Sequence, residues 1–164
     1  MYNVVNKLIK KGHKKIGFIG AMKSLNMSRD RLKGYKMALE VNGVNYDESL
    51  VIHKLQFNEN EGYDAANILV NESKASAIVT TDDLLAFGAG NMLKDNSIDN
   101  IALVGFNNNQ LAQYQTPPLS SVHINADKLG YYAAKLLIKK LESNINTNTH
   151  YIVNTEFIER ESFK

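Results

Sequence analysis

The chain has 164 residues, 44% of them hydrophobic and 22% charged, with a formal net charge of +2. That length allows one domain with a sizeable core, and the near-neutral balance implies no strong electrostatic pull toward nucleic acid. There is no cysteine, which excludes a disulfide framework and a thiolate metal site.

No apolar run is long enough to span a bilayer, and the start, MYNVVNKLIKKGHKK, lacks a signal-peptide core. Asn26-Met27-Ser28 and Asn71-Glu72-Ser73 match a glycosylation acceptor by chance in such a context. These features point to the cytosol and to no membrane partner. Lys7, Lys10, Lys11, Lys14 and Lys15 cluster near the start and read as the solvated, cation-rich end of a helix.

Tyr2, Val5, Leu8 and Ile9 recur at helical spacing, and Gly12 can stop that helix in a left-handed conformation. Ile16–Gly20 is a short apolar strand. A helix follows from about Ser28 to Asn42, with Leu32, Tyr35, Ala38 and Leu39 on one face and Asn42-Gly43 at its end. Leu50–Ile52 is a second strand. Asn58, with Glu61 three residues on, is a variant capping box opening a helix that carries Ala65, Ala66, Ile68 and Leu69.

The stretch IVTTDDLLAFG, Ile78–Gly88, is the most informative. Ile78, Val79 and Thr80 suit a buried strand. Asp82 and Asp83 suit the start of a helix, where a carboxylate accepts orphan N–H groups and meets the positive end of the dipole. That helix runs on through Leu93 to Asp95-Asn96. A strand end turning into a helix is where ligands bind in an open parallel sheet. Gly88-Ala89-Gly90 lies inside the helix, so it reads as a close approach of a neighbouring helix, not a dinucleotide fingerprint.

Ile101–Phe106 is a fourth strand, and Asn107-Asn108-Asn109 follows at the same edge as Asp82. Thr116-Pro117-Pro118 sets an extended segment. Val122 and Ile124 mark a connecting strand. Leu129, Ala133, Leu136, Leu137 and Leu141 mark an amphipathic helix, Ser143–Thr149 a polar loop, and Tyr151–Val153 and Phe157-Ile158 short extended segments. The β-α alternation predicts an α/β fold, a doubly wound parallel sheet covered on both faces.

The four histidines show no metal-ligand spacing, and neither a G-x-S-x-G elbow nor a phosphate loop is present. A receiver domain would need acids after the first strand, where Gly20-Ala21 stands. No metal site, no cofactor and no catalytic residue are therefore expected. An enzyme using Asp82 as a base is the rival reading, without a visible partner for that base.

Several segments in order resemble the lactose- and purine-repressor (LacI/GalR) family of bacterial transcription regulators. They are LIKKGHKKIGFIG, SRDRLKGYKMAL, FNENEGYDAA, TTDDLLAFGAG, IALVGFNNN, TPPLSSV and the Arg160-Glu161-Ser162 tail. The resemblance implies a periplasmic-binding-protein-like fold, with residues 16–121 and 151–164 forming a C-terminal effector-binding subdomain. It implies that residues 1–15 and 122–150 are a remnant of another subdomain, packed against little. A DNA-binding headpiece would lie outside this chain, which by itself would not bind operator DNA. A small-molecule effector, with a sugar favoured over a purine, would be the ligand of a homodimeric repressor; a maltose-type operon repressor would fit. A periplasmic sugar-binding protein shares the fold and is the rival binding reading.

By position, the resemblance carries effector contact to Arg31, Phe57, Asp82 and Asn107. Asp82 stands where the family usually has Asn, and Asn107 where it usually has Asp. Phe87, Asn91 and Tyr114 match segments of the family's dimer face, with Phe87 expected on an outward side of its helix.

Overall fold

The computed structural model describes residues 1–143 and 149–164. In chain order these form α1 (Tyr2–Lys10), β1 (Ile16–Gly20), α2 (Asn26–Val41), β2 (Val51–His53), α3 (Glu59–Asn71), β3 (Ala77–Thr80), α4 (Asp83–Asp95), β4 (Ala102–Asn107), β5 (Ser120–His123), α5 (Ala126–Ser143) and β6 (Glu156–Ile158). The sheet order is β2-β1-β3-β4-β5-β6. Strands β1 to β5 are parallel, and β6 runs antiparallel to β5.

The chain leaves β1 toward β2 on one side and then returns past β1 to β3 on the other. The crossovers consequently lie on opposite faces, and a crevice opens between β1 and β3 at the carboxyl edge. Helices α3 and α4 share one core with Ile19, Ile78 and Leu103. Helices α1 and α2 share the other with Phe18, Val79 and Val104. This two-faced burial is why the strands read as apolar runs without alternation.

The local signals act as expected at several ends. Gly12 adopts φ +99°, and His13 N donates to Leu8 O at 3.1 Å. Gly43 at φ +66° closes α2. Asn58 caps α3 by accepting from Glu61 N at 2.9 Å. The reciprocal arm of the box is absent, because the Glu61 carboxylate pairs with Lys54 at 3.2 Å. The close helix approach is between α3 and α4: a Cβ on Gly88 would lie 1.8 Å from Glu59 O, and one on Gly62 2.1 Å from Leu85 O.

Other expectations are corrected. The first helix does not pack against little. Val4, Val5 and Leu8 are buried in the core shared with Phe18 and Tyr35, so this helix is seated on the sheet. Burying a side chain of this kind contributes ~1.5–3 kcal/mol, enough to hold a nine-residue helix in place. Val122 and His123 likewise belong to the main sheet.

Helix α5 does meet the expectation of a bare apolar side, with Leu129, Leu137 and Leu141 exposed. Tyr132 stacks on Tyr151, ring centroids 4.7 Å apart. Tyr151–Val153 is not a strand; the closing strand is β6 alone. Most of the Ser143–Thr149 loop, residues 144–148, lies outside the described residues.

Candidate functional site

Asp82 ends the turn from β3 and caps α4, its Oδ1 accepting from Leu84 N at 2.8 Å. Its Oδ2 accepts from Asn107 Nδ2 at 2.7 Å. Half-burial pushes the Asp82 carboxyl upward, opposed by the Leu84 N–H, the nearby Arg31 and the Asn107 amide.

Arg31 comes from the second turn of α2, which follows β1. Its guanidinium donates through Nη1 to the Thr81 carbonyl. It lies over the Phe106 ring, Cζ 3.7 Å from the centroid. Burial holds its pKa down to about 10, against the attraction of Asp82 and Asp83.

Asp83 has a different task. It is 1% exposed and accepts from Asn109 N at 2.6 Å and from Ser121 Oγ at 2.7 Å. Ser121 Oγ in turn accepts from Asn108 N at 3.0 Å. Desolvation is the largest influence on Asp83 and pushes its pKa upward. Gly105 makes the space: a Cβ there would sit 2.0 Å from Asp83 Oδ1. Of two adjacent aspartates, one faces the edge and the other ties β4 to β5 beneath it.

The loop they hold is strained. Asn107 has φ +105° and Asn108 φ +55°, a region costly to most side chains and best tolerated by asparagine. Asn108 Oδ1 accepts from Arg160 Nη2 at 2.8 Å, and Leu119 O accepts from Arg160 Nη1 at 2.6 Å.

Arg31, Asp82 and Asn107 thus converge over the ends of β1, β3 and β4, at the crevice where the strand order reverses. Phe57 follows β2 at the same edge and packs against the α3–α4 core. The sequence places Asp83 and Asn108 at this edge but gives no sign of the bonds they make there, and Phe106 beneath Arg31 was missed. Also missed was His53, at the end of β2, whose Nδ1 lies 3.4 Å from Ala21 O and whose pKa is lowered by burial. Among the described residues no group of three His, Cys, Asp or Glu is gathered as a metal ion would require.

A second feature lies between α4 and the segment from Tyr114 to Pro117. It is a cavity of about 470 Å³ whose lining includes Phe87, Asn91, Tyr114, Leu119 and Ser162. It contains none of Arg31, Asp82 and Asn107, so it is separate from the edge. The three residues assigned to a dimer face are therefore neighbours. Phe87 does not point outward, however: it is 3% exposed and packs within the α3–α4 core. Tyr114 is 75% exposed, and Asn91 is exposed with Nδ2 3.4 Å from Glu59 Oε2.

Fold and edge together define a doubly wound α/β domain of the ligand-binding kind. Residues 5–163 match the model of the periplasmic binding protein-like domain, and the chain belongs to that family. It is 33% identical to the HTH-type transcriptional regulator RegA of Clostridium saccharobutylicum, over 98% of this chain and 50% of that protein. It is 31% identical to the HTH-type transcriptional regulator MalR of Clostridium butyricum, over 98% of this chain and 49% of that protein. A structure of a transcriptional regulator CelR–cellobiose complex superposes with TM-score 0.90 at 26% identity, over 96% of this chain and 49% of that one. The chain spans about half the length of the curated relatives it matches. The resemblance read from the ordered motifs is met by these relatives. No described helix is long and apolar enough to cross a membrane.

Proposed function

We propose that this chain is the effector-binding and dimerisation part of a bacterial LacI-family transcriptional repressor acting in the cytosol, and that its effector is a sugar. The convergence of Arg31, Asp82 and Asn107 carries this reading. A guanidinium supplies a fork of donors, Asp82 supplies acceptors, and Asn107 supplies both, a set that matches vicinal hydroxyls. The Phe106 ring beneath it and the Thr81 carbonyl hold the guanidinium in place before a ligand arrives. The sugar named in the CelR complex supports the choice of class.

The edge does no chemistry in this reading: Asp82 is engaged by the α4 cap and the Asn107 amide. Asn91 and Tyr114, around the mouth of the cavity, form the face toward a second copy. Operator DNA is reached through parts of the regulator other than this edge.

Calorimetric titration of the chain with cellobiose, maltose, glucose and guanine tests the ligand class. Saturable heat from at least one sugar, and none from guanine, is expected. Binding of guanine alone would make the effector a purine.

A further inference from the structure

The Asn107–Asn108 turn carries two consecutive left-handed residues at the end of β4. Left to itself, such a turn relaxes, and the Asn107 amide moves off Asp82. Three holds oppose this. Asp83 accepts from Asn109 N, and Ser121 Oγ accepts from Asn108 N. The third is Arg160, from the tail beyond β6. Its two arms donate to Asn108 Oδ1 at 2.8 Å and Leu119 O at 2.6 Å, and its own N–H donates to Ser120 Oγ at 2.7 Å. Two residues on, Ser162 Oγ donates to Leu103 O at 2.6 Å and accepts from Ser120 N at 2.8 Å, so the tail is fixed to β4 and β5. The Asn108 side chain is thereby held from a rigid base. Its Nδ2 also lies 3.4 Å from His123 Nδ1.

We propose that Arg160 is a positioning residue for the ligand edge: its fork between Asn108 and Leu119 keeps the Asn107–Asn108 turn in the conformation that presents Asn107 and Asp82. This rests on the edge being the effector site, but the positioning is measurable with no ligand present. A planar fork is required, since two acceptors on different segments must be met at once; a lysine keeps the charge and loses the second arm. Leu119 and Ser162 also line the cavity beside α4, so the same arginine joins the ligand edge to the wall of that cavity.

The test compares wild type with Arg160→Lys and Asn108→Gly by NMR. Asn108→Gly accepts the left-handed backbone and removes the side-chain acceptor of Arg160 together with the Nδ2 contact to His123. Exchange of the Asn107 side-chain amide protons reports whether that amide still binds Asp82, and the 13C titration of the Asp82 carboxyl reports the same bond from the other side. Both variants are expected to speed the exchange on the order of tenfold, the loss of a hydrogen bond to a charged group, and to raise the Asp82 midpoint. Loss of the cation is excluded as the cause, because Arg160→Lys retains it. An unchanged Asn107 exchange rate and Asp82 midpoint in both variants, even with a lowered melting temperature, would make Arg160 an anchor of the tail only. Failure of sugars to bind wild type would leave these readouts intact and would count against the effector reading alone.

Discussion

Asn107 donates from Nδ2 to Asp82 Oδ2 at 2.7 Å. The two residues that exchange amide and carboxylate relative to the resembling family are thus partners in one hydrogen bond. An exchange of this kind allows the same bond in the opposite direction. It moves the negative charge from β4's end to α4's cap, where the helix dipole favours it.

A compensated pair makes a clear prediction. Asn107→Asp sets two carboxylates within contact distance and is expected to destabilise the chain by ~1–3 kcal/mol. Adding Asp82→Asn restores one amide and one carboxylate and recovers most of that loss. Urea denaturation of the two single variants and the double variant measures the coupling. A double variant no more stable than Asn107→Asp would show that the two side chains do not act as a pair.

The pH dependence of the same site follows from burial. The folded pKa of Asp82 lies above its unfolded value, so the fold binds the proton more tightly than the unfolded chain does. The stability linked to this group is fully present below the unfolded pKa and is lost as pH rises through the folded pKa. Relative to Asp82→Asn, wild type is expected to gain stability as pH falls from neutral into the carboxylate range. Paired melting curves across that range check the sign; a widening deficit of wild type on acidification would reverse it.

The α3–α4 crossing has no room for a methyl group. Gly88→Ala would drive a Cβ against the Glu59 carbonyl, and overpacking of this kind costs ~1–3 kcal/mol or more. The denaturation midpoint is expected to fall, and more than for Gly130→Ala, where nothing lies within 4 Å. Equal losses at the two glycines would remove close packing as the cause.

For association, Phe87 is the wrong probe, since a charge there enters the core of the chain and unfolds it. Tyr114, on the surface, is the right one. Tyr114→Glu is expected to leave the melting temperature of the monomer nearly unchanged while lowering the dimer population in light scattering. A variant as dimeric as wild type would move the interface away from the mouth of the cavity.

Much of this was legible in the sequence because it is local. Periodicity, the glycine stops after α1 and α2 and the acidic start of α4 are each set by a few neighbouring residues. The division of labour between Asp82 and Asp83 was not legible, because both suit a helix start and only the approach of β4 separates them. One hint stood in the sequence: Gly105 inside an apolar strand leaves a gap that something must fill, and Asp83 fills it. Phe87 was misplaced because α4 is covered by α3 as well as the sheet, so an apolar residue off the main stripe is still interior. The packing of α1 was missed because the resemblance assigned it elsewhere, although its own apolar stripe required a partner. Arg160 was read as a marker of the tail; its fork depends on contacts across more than forty positions of sequence, Asn108 among them.

The most direct test of the account is an NMR titration of the chain with cellobiose and maltose, wild type beside Arg31→Ala. The account predicts saturable shifts of the Arg31 guanidinium and the Asn107 amide in wild type. It predicts an affinity at least about tenfold weaker in Arg31→Ala, since removing a charged donor from a polar site costs on the order of 2–5 kcal/mol. Equal affinities, or shifts confined to the residues around the α4 cavity, would contradict it.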